Sequence, residues 1–225
     1  MNKRGNLNIA VLAIILILLI AGIWFIASRT SPSGTTSTEG RVVFTITDAA
    51  ADLGTITSIK VTVDSVSVHS TATGWITVSS TQRTYDLLEL KAEGKEVILA
   101  DVELTEGTYT QTRLNISKVM VTDADGEHEA KLPSGELKII GNVVVEANTT
   151  SAVKFDFIAN ESLHVTGNGT YIFAPVIQLE TRTGAEVEVN SDNSVEVTSG
   201  RVVANTKVGM DIDGNVGVGL KIPAN

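Results

Sequence analysis

From Arg41 onward, apolar residues recur at every second position, and this alternation restricts the fold more than any other feature. Valine, isoleucine and threonine dominate the runs, and turn-forming residues separate them, as is typical of β-strands. Many short strands at regular spacing predict an all-β fold, an antiparallel β-sandwich over residues 41–183. The predicted strands are residues 41–47, 57–69, 75–79, 84–90, 95–104, 108–121, 136–146, 151–158 and 170–180.

Two runs depart from strict alternation. In SIKVTVDSVSVHS, residues 58–70, the apolar positions are odd-numbered up to Val63 and even-numbered from Val66 onward. A β-bulge near Asp64 would return both sets to one face of the sheet. The stretch YDLLELKAEGK, residues 85–95, is the single candidate for a short helical turn outside the N-terminal region.

The stretch SLHVTGNGTYIFAPVIQLE, residues 162–180, combines a histidine, a Gly-Asn-Gly turn and a proline. It predicts a strand–turn–strand hairpin with its turn at residues 167–169. Proline cannot donate a ladder hydrogen bond, so Pro175 is expected at a bulge or at a sheet edge. His164 is interpreted as a hydrogen-bonded strand residue rather than a ligand-binding one.

Residues 184–225 alternate strictly and contain no aromatic residue. They predict a C-terminal β-meander, with hairpin turns at Asp213–Gly214 and Ser199–Gly200. The pattern allows this meander to be an extension of the main sheet or a separate module. Its valine-rich edge strands could support self-association by strand addition.

The N-terminal region contains nineteen consecutive uncharged, mostly apolar residues, 9–27. As a helix they would span about 28 Å, close to the thickness of the bilayer's hydrocarbon core. Lys3 and Arg4 precede this segment, which predicts a cytoplasmic stub at residues 1–8 and an extracytoplasmic C-terminal domain. Residues 28–40 are rich in serine, threonine and glycine and predict a flexible linker.

Three interpretations of this N-terminal region remain open. An uncleaved single-pass signal-anchor fits the length of the segment, and residues 9–27 would then contact the lipid bilayer. The residues KRG before it resemble the leader of archaeal type IV pilin-like proteins, which implies cleavage after Gly5. A cleavable secretory signal normally has a shorter apolar core and small residues before the cleavage site.

Composition excludes several classes of function. The chain has no cysteine, which excludes disulfides, thiol catalysis and a lipid-modified cysteine. Residues 40–225 hold 14 of the 17 lysines and arginines and 25 of the 26 acidic residues, a net charge of −11. This charge disfavours nucleic acid as a partner. No nucleophile elbow or phosphate-binding loop is present, and no enzymatic activity is predicted.

Candidate sites are weak. The three histidines, His69, His128 and His164, are too far apart in sequence to form a recognisable metal-binding pair. Among the acidic turns, the one with Asp123, Asp125 and Glu127 is the best candidate for calcium, although its glycine spacing is not that of an EF-hand. No other cofactor is predicted.

Four Asn-x-Ser/Thr triplets are candidate glycosylation sites in an extracytoplasmic domain. Asn148 and Asn168 lie in turn-like contexts and are favoured, Asn160 is a further candidate, and Asn115 lies within a predicted strand.

Several phrases in this chain together resemble the family called domain of unknown function 4382. The similarity covers roughly residues 40–180, in the order and with the spacing of that family. It implies an extracytoplasmic β-sandwich and no particular activity. The chain differs from the family in having a transmembrane segment instead of a lipidated cysteine, and in the residues after 184. The phrases are FTITDAAAD, VTVDSVSVHS followed by GWITVS, TYDLLEL, EGTYTQTRL, KLPSGELKI and HVTGNGTYIFAPVIQL.

These observations predict a membrane-anchored cell-surface protein with a structural or interaction role. A pilin-like filament subunit is the first alternative, and a calcium-dependent binding module is the second.

Overall fold

The computed structural model describes residues 38–49 and 53–222. The predicted stub, the transmembrane segment 9–27, the candidate cleavage position after Gly5 and most of the linker lie outside these residues. No helix within the described residues is long and apolar enough to cross a membrane.

The described residues are mostly β-strand, and the prediction of an all-β fold is confirmed. In chain order the elements are β1 (Glu39–Asp48), β2 (Ser58–Ser70), β3 (Gly74–Ser79), β4 (Arg83–Asp86), α1 (Leu87–Glu93), β5 (Val97–Thr105), β6 (Gly107–Asp123), β7 (Gly126–Glu129), β8 (Glu136–Val145), β9 (Thr150–Phe157), α2 (Ala159–Ser162), β10 (Leu163–Val165), β11 (Tyr171–Phe173), β12 (Val176–Thr183), β13 (Val187–Val189), β14 (Val195–Val197), β15 (Arg201–Met210) and β16 (Val216–Val218).

The strands form two six-stranded sheets within the described residues. Sheet A has the order β16-β15-β12-β9-β1-β5, and all of its pairs are antiparallel except the parallel pair β1–β9. Sheet B is built on the long pair β2–β6, with β3 and β4 on the free side of β2 and β7 and β8 on the free side of β6. The hairpins β10–β11 and β13–β14 are separate two-stranded units.

Side chains from both sheets contribute to one hydrophobic core. The sheets approach closely at β8, where Thr181 Oγ1 of sheet A donates a 2.7 Å hydrogen bond to the Asn142 carbonyl. There is no space for a side chain at Gly141, because a Cβ atom there would lie 2.5 Å from Leu179 Cδ2. The largest fully buried side chains include Phe44, Ile59, Leu114, Leu137, Phe155, Phe157, Phe173 and Leu179.

The predicted β-bulge in β2 is confirmed. The pairing of β2 with β6 shifts between Val63 and Ser65, so Asp64 has no partner residue. Val63 and Val66 are consequently both buried, although their positions differ in parity. The extra residue therefore keeps all the valines of this strand on the core side.

The predicted strand 84–90 is wrong beyond Asp86, where helix α1 begins. The Asp86 side chain caps the helix by accepting a hydrogen bond of 3.1 Å from the Leu88 backbone N–H. Leu87 and Leu90 are three positions apart, and both are buried on one face of the helix. Gly94 ends the helix in the left-handed conformation, so the candidate helical turn in this stretch is confirmed.

The residues after 184 form two strands of sheet A and one separate hairpin. β15 pairs with β12 and β16 pairs with β15, so both extend sheet A. The predicted turn at Asp213–Gly214 connects this hairpin, but the one at Ser199–Gly200 is wrong, since β14 and β15 do not pair with each other. β13 and β14 pair through a turn at residues 190–194 instead, where Asn193 has φ +66°.

Candidate functional site

The acidic turn predicted to bind calcium is part of the β6–β7 hairpin. Asp123 Oδ1 accepts hydrogen bonds from the backbone N–H groups of Asp125 (2.8 Å) and Gly126 (3.1 Å) and lies 3.1 Å from His128 Nε2. Its other oxygen, Oδ2, accepts a hydrogen bond of 2.5 Å from the Tyr171 hydroxyl. Both oxygens are therefore occupied by protein donors.

The hydrogen bond between Tyr171 and Asp123 shifts the pKa values of both side chains. The pKa of Asp123 is lowered first by the hydrogen bond from the Tyr171 hydroxyl, and then by the backbone N–H of Asp125 and the side chain of His128. The bond to Asp123 raises the pKa of Tyr171 to about 12. Asp123 therefore joins the β6–β7 hairpin to the β10–β11 hairpin as a fixed carboxylate.

The three predicted calcium ligands do not converge. Glu127 lies 3.4 Å from Lys60 Nζ on β2, and the Asp123 carboxylate is engaged by protein donors. Within residues 38–49 and 53–222, no group of three histidine or acidic side chains is placed to hold a metal ion.

His69 lies on the outer face of sheet B in a cluster with Trp75 and Arg113. The guanidinium carbon of Arg113 lies 4.0 Å from the centre of the Trp75 ring, and the His69 ring centre lies 5.1 Å from it. Arg113 also forms a salt bridge of 3.0 Å with Glu136. Because Arg113 covers one face of Trp75, this tryptophan does not offer an open platform for stacking a sugar.

The stretch 162–180 forms the predicted hairpin. β10 and β11 pair across residues 166–170, and the chain leaves the strand conformation at Ala174 and Pro175 before β12 begins. Burial lowers the pKa of His164, while a hydrogen bond with the backbone of Glu161 opposes this effect. Its Nε2 atom is enclosed and has no hydrogen-bond partner among the described residues. The interpretation of His164 as a hydrogen-bonded strand residue agrees with its bond to Glu161 and its place in β10, and Nε2 takes no part in that bonding.

The glycosylation candidates differ in their surroundings. Asn148 is exposed in the turn between β8 and β9 and has φ +58°. Asn168 is exposed at the tip of the β10–β11 hairpin, where its side-chain oxygen accepts a hydrogen bond from the Thr170 backbone N–H (3.3 Å). Asn160 is also exposed, but Ser162 of its triplet is fully buried, which makes this triplet a poor acceptor.

A cluster of charged side chains lies on the outer face of sheet A, beneath the β13–β14 hairpin. Its members are Glu96, Lys154, Glu180 and Arg182. The hairpin is held there by hydrogen bonds from the Val195 N–H to the Glu96 carbonyl (2.7 Å) and from the Ile98 N–H to the Asn193 carbonyl (3.0 Å). Burial raises the pKa of Glu96, although Thr45 Oγ1 donates a hydrogen bond of 2.5 Å to it and Lys154 lies nearby.

A carboxyl group with a raised pKa can serve as a proton donor in catalysis. The cavity beside Glu96 has a volume of only 80 Å³, which is room for a few water molecules. The cluster is therefore a structural feature of the covered face and has no space for an organic substrate.

A groove of 310 Å³ lies between β8 and the β15–β16 hairpin. Ile140 on β8 is 71% exposed and Val218 on β16 is 75% exposed, the two highest values among the large hydrophobic residues of the described chain. Both residues line this one groove, together with Glu136 and Lys138. Exposed apolar side chains that converge on one groove are typical of an interaction surface.

The two edges of sheet A differ in protection. The edge strand β5 carries the exposed charges Asp101 and Glu103, and Asp101 pairs with Arg41 at 2.8 Å. The other edge strand, β16, consists of Val216, Gly217 and Val218 and carries no charge. Charged residues on an edge strand discourage pairing with another chain, so β16 is the less protected edge.

The arrangement defines an all-β domain with one shared core and an unprotected edge near its C-terminus. The chain belongs to the family described as Domain of unknown function (DUF4382), whose sequence profile matches residues 39–175. No curated protein and no solved structure matches the chain.

Sequence reasoning missed both the apolar groove beside β8 and the exposure of Val218 in it. The alternation of residues 216–222 indicated a strand with one apolar face, but it carried no signal of whether that face is covered. The groove partner Ile140 lies on β8, 78 positions before Val218. Only the three-dimensional packing brings these two positions together.

Proposed function

We propose that this protein is a membrane-anchored extracytoplasmic domain with a structural or interaction role at the cell surface, and that it has no catalytic activity. The observation that carries the proposal is the concentration of exposed apolar side chains around the C-terminal arm, which we define as residues 201–222. Val202, Ile212, Val218 and Leu220 of this arm are all exposed.

Val218, near the end of this arm, lies far from Glu39, where β1 begins. The linker enters the domain at Glu39, and the register from Arg41↔Thr150 to Asp48↔Phe157 extends about 23 Å from that end. Phe157 aligns with Ile177, Ile177 with Val208 and Val208 with Val218. Val218 therefore lies at the end of sheet A that is opposite the linker.

The partner that we propose is a second copy of the chain, which pairs through β16 by strand addition. The edge strand β16, Val216–Val218, is a short uncharged strand with one unpaired side among the described strands. The chain thus supplies both an open edge and a matching strand. Antiparallel pairing of two copies would extend sheet A and cover Val218.

The absence of cysteine from the chain allows a direct test of topology with single-cysteine variants. We expect a membrane-impermeant maleimide to label Val202→Cys on intact cells, because Val202 is exposed in the proposed extracytoplasmic domain. The matched variant Asn2→Cys, in the predicted stub, should react only after the cells are permeabilised. Labelling in the opposite pattern would overturn the proposed orientation.

Strand addition is tested by disulfide trapping of the full chain in its membrane. Directly opposed residues of antiparallel strands have Cα atoms about 4.5–5.5 Å apart, within the range of a disulfide. Under mild oxidation we expect Val218→Cys to form a covalent dimer if the two-fold axis passes near Val218. If the axis passes near Gly217, the double variant Val216→Cys/Val218→Cys should do so.

The matched control is Val202→Cys, which also places a thiol at an exposed valine of the same arm, but at the opposite end of β15. Dimer yields no higher for the β16 variants than for this control would rule out pairing through β16.

A pilin-like filament subunit is the second candidate, favoured by the residues KRG that precede the apolar segment. In that case the N-terminal helix, rather than β16, makes the main contact between copies. N-terminal sequencing of the protein isolated from its native membrane separates the two candidates. A mature chain that begins at Asn6 supports the filament, and an intact Met1 removes it.

A further inference from the structure

A second, larger cavity lies at the same end of the domain and shares no lining residue with the groove beside β16. It has a volume of 550 Å³ and lies between the β10–β11 hairpin and the final residues of the C-terminal arm. This volume is within the range of small-molecule sites. Its apolar lining consists of Leu163, Val165, Ile172, Ile212 and Ile222.

The apolar lining is accessible from outside. Val165 and Ile212, on opposite sides of the cavity, are 57% and 54% exposed. Burying such side chains under an apolar ligand is favourable by about 25 cal/mol for each Å² removed from water. The walls therefore suit a ligand with an apolar body.

Three charged side chains, Glu161, Lys207 and Lys221, meet beside this cavity, and Glu161 and Lys221 line it. Glu161 Oε1 lies 2.6 Å from Lys207 Nζ, and Glu161 Oε2 lies 3.6 Å from Lys221 Nζ. The hydrogen bond from Lys207, and then the charge of Lys221, lower the pKa of Glu161, which keeps it ionised. Two lysines face this one carboxylate, so the three groups carry one net positive charge, and Lys221 is the lysine that lines the cavity.

His164 also lines the cavity but does not add to this charge. Burial lowers the pKa of His164, so the ring is neutral at neutral pH. Its enclosed Nε2 atom has no hydrogen-bond partner among the described residues.

We propose that this cavity binds a small apolar carboxylate, with its hydrocarbon body against Val165, Ile172 and Ile212 and its carboxylate at Lys221. The one net positive charge matches a monoanion, and the five aliphatic side chains match a hydrophobic body. This site goes beyond the proposed interaction through β16 and does not depend on it, because the two surfaces have no residue in common.

The probes that test this assignment share one body and differ in charge: 3-phenylpropionate, 3-phenylpropanol and 3-phenylpropylamine. Binding is measured by ligand-observed NMR on the full chain in lipid nanodiscs, with empty nanodiscs as the blank. We expect the carboxylate to bind more tightly than the alcohol, and the amine to bind most weakly. Equal binding of all three probes, or preference for the amine, would overturn the carboxylate assignment.

Two substitutions locate the binding in this cavity. Lys221→Gln keeps most of the side-chain length and removes the charge, and we expect it to weaken binding of the carboxylate about fivefold, as for a partly exposed ion pair. Lys138→Gln makes the same change beside β8, outside this cavity, and should leave the affinity unchanged. Equal effects of the two substitutions would show that the carboxylate responds only to overall charge, and would refute the site.

Ile212→Asp provides an independent check, since it places a negative charge in the apolar wall and should abolish binding. Disulfide trapping at Val218 tests the pairing through β16 and does not depend on ligand binding in the cavity. Failure of the ligand site and failure of the proposed pairing are therefore distinguishable.

Discussion

Strand β6 and the C-terminal arm show the same alternation of apolar residues but differ in burial. Leu114, Ile116, Val119 and Val121 of β6 are almost completely buried, because sheet A covers their side of sheet B. In the arm, Val208 and Met210 of β15 are buried, whereas Val218 and Leu220, beyond the turn, remain exposed. The alternation therefore identifies a strand and its apolar face, whereas a neighbouring layer decides whether that face is buried.

The two compared regions lie on either side of the end of the family match. β6 lies within residues 39–175, which match the family profile, and the arm lies beyond them. The matched segment forms most of the shared core, but it does not complete sheet A, since β12, β15 and β16 follow it. These later strands complete the sheet, and β16 among them is the edge proposed above for pairing.

The largest expected effect comes from making one substitution in both regions. Leu114→Ala on β6 removes a fully buried side chain and should lower the free energy of unfolding by about 2–5 kcal/mol. Leu220→Ala in the arm should change it by no more than about 0.5 kcal/mol. Denaturant titration of both variants measures the contrast, and similar losses would show that the arm is as tightly packed as the core.

Gly209→Ala tests how closely the arm folds back on β15. A Cβ atom at this position would overlap the carbonyl oxygen of Leu220, so either β15 or the segment after β16 must move. We expect a loss of about 1–3 kcal/mol, typical of overpacking. Gly167→Ala is the matched control, because nothing lies within 4 Å of its Cβ position. Equal stability of the two variants would show that the segment after β16 packs only loosely on β15.

Tyr171→Phe examines the link between β6 and the hairpin that borders the cavity. The variant loses the hydrogen bond to Asp123 and should be less stable by about 1 kcal/mol at neutral pH. Because the pKa of Tyr171 is raised to about 12, its contribution is complete below about pH 10 and is lost as the pH rises through 12.

This alkaline loss should therefore be smaller in Tyr171→Phe than in the parent protein when unfolding is followed between pH 8 and 12. Tyr85→Phe removes a different hydroxyl, which bonds the Ile98 carbonyl, and should retain the contribution of Tyr171. An unchanged alkaline profile in Tyr171→Phe would show that its bond to Asp123 does not stabilise the fold.

The smallest expected effect, with the opposite sign, concerns the face that the β13–β14 hairpin covers. Since burial raises the pKa of Glu96, its contribution to stability is complete below about pH 4 and is lost as the pH rises through the raised value. Glu96→Gln removes this loss, keeps an acceptor for Thr45, and should stabilise the domain by up to about 1 kcal/mol at pH 7.

Melting temperatures of Glu96→Gln and the parent protein should converge near pH 4. Thr45→Val is the companion variant, since it removes the hydroxyl that donates to Glu96 and should make the ionised carboxylate less favourable. A stabilisation by Glu96→Gln that does not depend on pH would contradict the role assigned to the buried charge.

Local patterns predicted much of the fold. The parity change between Val63 and Val66 located the bulge of β2, and the glycines of the 162–180 stretch located a hairpin turn. Residues 87–90 were misassigned to a strand, because the hydrogen bond with which the Asp86 side chain caps helix α1 is not visible in the alternation of the sequence. The turn at Ser199–Gly200 was misassigned because turn residues indicate a reversal of the chain without indicating which strands then pair.

The candidate sites were less predictable. Asp123 stands in a turn whose composition suits calcium, but Tyr171 takes up one of its oxygens from 48 positions away. His164 has alternating neighbours like any strand residue, and its position in a cavity wall depends on Ile212 and Ile222. Such contacts join distant parts of the chain, and alternation, which is a local property, contains no information about them.

The sequence by itself determined that most of residues 38–49 and 53–222 form short strands, where many of these strands turn, and that no cysteine chemistry is available. These properties depend on neighbouring residues and on composition. The tertiary structure decided which apolar faces are covered, which sheet edge is unprotected, and which lysines face Glu161. Those properties depend on the distances between residues far apart in the chain, which are fixed only when the two sheets pack around one core.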